Sequence, residues 1–222
     1  MTATTLYVAF PASDELYART MKFINAVEAN PEVSQQALLS DIPSKFIDEV
    51  LAAFFEGPVD AAGLKGGSAG VIHSLMSMVG SASRALASKV LGKVTVAEQR
   101  VLAAHFREIT HEKGGKYYCG FALDPEVANE AVLMFDSFRF GNGERDQLVR
   151  IMTAIGDGTV QNFFDVPMMT VKVGMVTRGL VSAGRATIEK ASHSMNRKIL
   201  PDMEPTARQR VLEYMAGMLQ EF

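Results

Sequence analysis

Among the residues able to do chemistry, Glu108 and His111 are spaced as in the Glu-x-x-His pairs that bind iron inside helical bundles, and His105 and Glu112 stand close by. A di-iron centre needs a second such pair and two more inward carboxylates, and the chain has no second Glu-x-x-His. These residues therefore read as solvated charges, and no metal is expected. Cys119 is the only cysteine, which excludes an internal disulfide and a cysteine-based zinc site and leaves it as a small core residue. "GLKGGSAG" at 63–70 opens a helix and offers backbone N–H groups to an anion, yet it lacks the Gly-Lys-Ser/Thr ending of a phosphate-binding loop. "GNGERD" and "GDGT" follow no strand and read as turns, and no Gly-x-Ser-x-Gly elbow is present. No catalytic residue is predicted, and no cofactor can be assigned.

A different signal is recurrence. "AEQRVL" at 97–102 returns as "ARQRVL" at 207–212. Phe54, Phe55, Glu56 and Pro58 return as Phe163, Phe164, Asp165 and Pro167. Without a gap, Gly70, Ala82, Ser83, Lys89 and Leu91 then meet Gly179, Ala191, Ser192, Lys198 and Leu200. Tyr7 and Phe10 resemble Tyr118 and Phe121 in the same way. Two copies are too few for a solenoid. They predict two duplicated halves, 1–113 and 114–222, related by a pseudo-two-fold around one shared core, with "EKGGKYY" at 112–118 as the junction. The recurring acid, Glu56 or Asp165, is expected to pair with the recurring Arg100 or Arg210 of its own half.

The elements that would position these residues are mostly helices. Each half starts with an aromatic and β-branched run, 4–10 and 116–121, suited to a short strand. Ser13 caps a helix that carries Leu16, Tyr17, Met21, Ile24 and Val27 on one face; its counterpart has Asp124 as cap and Pro125 in the first turn. The next helix is capped by Ser44 and ends at Gly57-Pro58, and "GDGT" at 156–159 interrupts its counterpart. Long helices rich in small residues follow at 68–91 and 171–200. Thr95-x-x-Glu98 and Thr206-x-x-Gln209 open the last helix of each half as capping boxes. The predicted fold class is all-α, a mainly helical bundle with a short strand at the start of each half.

The first long helix has two distinct faces. Ile72, Leu75, Val79, Ala82, Leu86 and Val90 share a core face. Gly70, Ser74, Ser77, Ser81, Ala85, Ser88 and Gly92 share a second arc, where small side chains allow a second backbone or a flat hydrophobic ligand to approach closely. Ser74, Ser77 and Ser81 are therefore the expected binding residues. With them go Met76, Met78, Met168, Met169 and Met175, whose thioethers adapt to irregular apolar shapes.

Composition limits the partners. A chain with 48% hydrophobic residues, 21% charged residues and a net charge of −3 is globular rather than disordered. Residues 61–97 and 166–201 are basic, but Arg84 and Lys89 lie far apart around their helix axis and no aromatic side chain accompanies them. Nucleic acid is not expected, and a membrane surface is admitted without being favoured. Gly66 to Ser83 lacks charge but is too rich in Ser and Gly for a membrane span, and Met1 to Phe10 does not read as a secretory signal, so a cytoplasmic setting is expected. The expected function is a non-catalytic helical binding protein holding a hydrophobic small molecule or a partner helix between its halves. An assembly subunit without a small ligand, including a homo-oligomer, and an enzyme with a site between the halves are the alternatives.

Overall fold

The computed structural model describes residues 5–222, with the backbone alone at Gly67 and Ser68. Thr4, placed in the first strand by the sequence, lies outside the described residues. The aromatic run at the start forms β1 (Tyr7–Pro11), and α1 (Asp14–Ala29) follows with Ser13 as its cap, the Oγ accepting from the Leu16 N–H at 3.1 Å. A short α2 (Gln36–Ser40) leads to α3 (Pro43–Leu51), a π-helical turn at Ala52–Glu56 and α4 (Gly57–Ala62). Next come the long α5 (Gly67–Leu91), α6 (Val96–Glu108), β2 (Thr110–Lys113) and β3 (Lys116–Ala122). The chain continues through α7 (Pro125–Arg139), α8 (Arg145–Val160), a second π turn at Gln161–Asp165, α9 (Val166–Thr170) and α10 (Met175–Ser194). A third π turn at Met195–Ile199, a 3-10 turn at Leu200–Asp202, α11 (Pro205–Ala216) and β4 (Leu219–Gln220) complete it.

The fold is mainly helical, as expected, and its strands, more than the two anticipated, form one small sheet of order β2-β3-β1-β4. In its central antiparallel pair Ala9 lies opposite Gly120, and a Cβ on Gly120 would stand 2.5 Å from that of Ala9, so only glycine lets the two backbones lie this close. The junction at 112–118 is a β-hairpin. Gly114 and Gly115 occupy its turn with φ of 60° and 73°, the conformation a type I′ turn demands of both central residues. α6 ends at Glu108 and His111 stands on β2, so the Glu-x-x-His spacing does not place the two side chains on one helix face.

Three local expectations are corrected. α3 starts with Pro43 in its first turn and takes no cap from Ser44. Residues 156–159 do not interrupt α8, because tertiary packing outweighs the cost of two helical glycines. A Cβ at Gly156 would stand 2.5 Å from Ser192 Oγ, and one at Gly158 would stand 2.7 Å from Phe121. α11 is capped by Glu204, whose Oε2 accepts from the N–H groups of Thr206 and Ala207, so no capping box forms at Thr206. The box at Thr95 and Glu98 does form.

Each π turn ends two residues before a proline: Pro58, Pro167 and Pro201. A proline ring collides with the carbonyl four residues back, and a widened turn relieves the clash. The residue before each proline accordingly donates its N–H five residues back, Gly57 to Ala52, Val166 to Gln161 and Leu200 to Met195. Around the sheet the helices interlock across the sequence, with α11 on α4, α6 on α9 and α5 along α10. One large core draws Val8, Phe23 and Leu102 together with Phe121, Leu148 and Leu212. No described helix is long and apolar enough to cross a membrane.

A candidate apolar binding cavity

The face of α3 that carries Phe46, Ile47 and Val50 is partly buried against the core and also borders a gap in it. It faces Ile155, Gly156 and Thr159 of α8 across a cavity of about 160 Å³. The first two π turns carry Phe54 and Phe163 on its wall. α5 contributes Val79, Ser83 and Ala87, α10 contributes Ile188 and Ser192, and the third π turn adds Met195 and Asn196.

Phe163 ties this wall to the sheet. Its ring meets Phe46 edge-on at 5.4 Å, Phe10 of β1 at 5.9 Å and Phe121 of β3 at 5.5 Å, and Phe54 at 6.4 Å. Edge-to-face aromatic contacts of this kind fix ring orientation, so the cavity has a stiff aromatic wall on the sheet side.

No lining residue is ionisable. Thr159 Oγ1 donates to the Ile155 carbonyl at 2.9 Å, and Asn196 Nδ2 donates to that of Met152 at 2.8 Å, which leaves the Asn196 Oδ1 as an acceptor. Ser83 and Ser192 form no side-chain hydrogen bond among the described residues, although Ser83 is buried. The cavity is therefore lined by three hydroxyl residues, Ser83, Thr159 and Ser192, and one amide, Asn196, in an otherwise apolar wall. Such a lining offers a charged group no counter-charge and leaves a few polar atoms in an apolar surface.

The residues that the sequence singled out are dispersed. Met168 is buried and lines the cavity. Met76 is half-buried against the small cluster of Leu51, Ile72 and Val79. Ser74, Ser77, Ser81, Met78, Met169 and Met175 all face solvent, so the arc of small residues on α5 is an outer surface and not a packed face. The residues missed were Phe46, Phe54, Phe163, Ser83, Ser192 and Asn196. A signal for four of them was present, since Phe54 recurs as Phe163 and Ser83 as Ser192.

The ionisable groups serve elsewhere. Asp165, which recurs with Glu56, pairs with Arg185 at 2.9 Å, while Arg100 reaches Glu32 at 3.1 Å, so the expected pairing of recurring acid with recurring arginine does not form. His105 Nε2 lies 2.9 Å from the Asn162 carbonyl, and burial lowers its pKa, so the neutral ring donates there. His111 stacks on Phe222 with centroids 4.3 Å apart, and burial lowers its pKa too. His193 meets Asp157 at 2.9 Å and His73 is exposed; the four imidazoles have separate surroundings. Burial pushes the Cys119 thiol up to about 12, which makes it an inert core group. Among the described residues, no group of three or more His, Cys, Asp or Glu is placed to hold a metal ion.

No protein-family model matches the chain, and neither a curated protein nor a solved structure matches it.

Proposed function

We propose that the chain is a non-catalytic binding protein, built of two duplicated halves, 1–113 and 114–222, that hold one neutral hydrophobic small molecule between them. The observation that carries this reading is the origin of the cavity lining. Phe54 and Phe163, Phe55 and Phe164, Pro58 and Pro167, Ser83 and Ser192, and Leu91 and Leu200 all border the same space, and each pair stands at one constant spacing in the sequence.

The backbone adds support for the duplication. The Ala9 N–H donates to the Met218 carbonyl and the Gly120 N–H to that of Ile109, both at 2.8 Å. The Ala12 N–H donates to Tyr117 and the Leu123 N–H to Leu6, at 2.9 and 2.8 Å. These are the bonds a two-fold through the Ala9–Gly120 pair would interchange. Such an axis passes between the halves, where a fused dimer would place a shared site.

Size supports the ligand class. An apolar cavity of this volume matches the engineered ones that take up benzene. A ligand of matching shape would supply the packing contacts that the cavity's apolar walls lack. A cytoplasmic setting fits a chain whose one cysteine is a buried free thiol.

Native mass spectrometry of freshly purified protein, together with melting curves in toluene or phenol, tests the reading. The expected results are an adduct mass that vanishes on denaturation and a melting temperature that either probe raises. Ala87→Phe, which fills the cavity from α5, should abolish both effects. A clean protein mass and a melting temperature that neither probe moves would refute small-molecule binding here and shift the weight to an assembly role.

A further inference from the structure

We propose that the end of the α5–α10 pair carrying Lys93 and Met175 docks on an anionic membrane surface. The two helices run antiparallel: a Cβ at Gly184 would collide with Leu86, while Met76 near the start of α5 lies in one cluster with Met195 just past the end of α10. This register brings Lys89 and Lys93 at the end of α5 beside the first turns of α10. The Lys172 N–H donates to Glu98 Oε1 at 2.7 Å, which pins the loop between α9 and α10 to the first turn of α6, near Lys93. Met169, Met175 and Val176 around that loop are 77%, 89% and 78% exposed, the most exposed large aliphatic side chains described.

Charge selects the partner. Segments 61–97 and 166–201 hold ten Lys and Arg and a single acid, Glu189, whereas the rest of the chain holds twelve basic and 24 acidic residues. Glu189 is itself paired with Arg185. Lys89, Lys93, Lys172 and Arg178 are exposed, and none forms an ion pair among the described residues. The spread of charge around a single helix, which argued against a basic face in the sequence, is offset because the fold sets two basic segments side by side.

Two further features suit lipid. α10 starts at Gly174 with no side-chain cap, leaving the first N–H groups of a 20-residue helix open to phosphate oxygens. The methionine and valine side chains project from a helix end, so they enter the acyl boundary while the flanking lysines stay among headgroups. Nucleic acid would want stacking aromatics, and α5, α9 and α10 have none.

The test is co-sedimentation of the full chain with vesicles of phosphatidylcholine containing about one-third phosphatidylglycerol, against pure phosphatidylcholine, at low and raised salt. Sedimentation should need the anionic lipid and weaken with salt. Lys172→Glu with Arg178→Glu, and Met175→Asp with Val176→Asp, should each lower binding more than tenfold at unchanged helicity, since all four side chains are exposed. The proposal is overturned if the protein stays in solution with anionic vesicles at low salt, or if both double variants bind as the parent does. Retention on immobilised polyglutamate or single-stranded DNA without vesicle binding also overturns it, in favour of an acidic protein or nucleic acid. None of these outcomes depends on the toluene response of the cavity.

Discussion

The inner and outer sides of α5 and α10 use the same residue types for opposite ends. Ser83 is buried on the cavity wall and Ser77 stands in water six residues earlier on the same helix. Gly184 is pressed against Leu86, whereas a Cβ on Gly179 would meet nothing within 4 Å. Small residues admit close approach but do not compel it. What decides is whether a partner element is present, and that is settled by the whole fold rather than by the helix.

The contrast is open to mutation. The largest effect is expected at Gly184, where valine must displace Leu86 from the core; we expect Gly184→Val to cost about 2–3 kcal/mol in urea unfolding. An equally stable variant would mean that the two helices are not packed as described. Acid should have the next largest effect. His105 and His111 have pKa values lowered by burial, so at pH above the unfolded value of about 6.5 both states are neutral and stability is at its full level. As pH falls below that, the unfolded chain takes up protons that the folded chain refuses, and stability declines. His105→Gln should flatten this acid limb in a series of unfolding curves, and an unchanged limb would show that His105 does not contribute to it. The smallest effect is expected outside, where Gly179→Ala should raise stability by about 0.5–1 kcal/mol through helix propensity alone. A loss there would show that the outer face is already in close contact with something.

Much of the fold was legible because caps and strand starts are local signals. Ser13, Asp124 and the Thr95–Glu98 box open helices where the sequence placed them. β2 was not legible, since Thr-His-Glu-Lys is the polar composition of an edge strand, and β4 is too short to carry a pattern. The glycines of α8 look like breakers by helix propensity alone, while in the fold Ser192 and Phe121 occupy the space they leave. For the candidate site the failure was one of direction. The recurring Phe54, Phe163, Ser83 and Ser192 are visible in the sequence as repeats, but nothing local says that they face one space, whereas the longest run of small residues turns outward.

The sheet has a further consequence for how the molecule is made. β1 precedes the other strands in the chain, yet its two neighbours are β3, which follows α6 and β2, and β4, which follows α11. Throughout synthesis of the segments between, its hydrogen-bonding edges have no native strand to pair with, and loop closure over so long a separation is slow. The Tyr7–Pro11 segment thus pays the largest loop-closure entropy of the sheet, because both of its partners are distant in sequence.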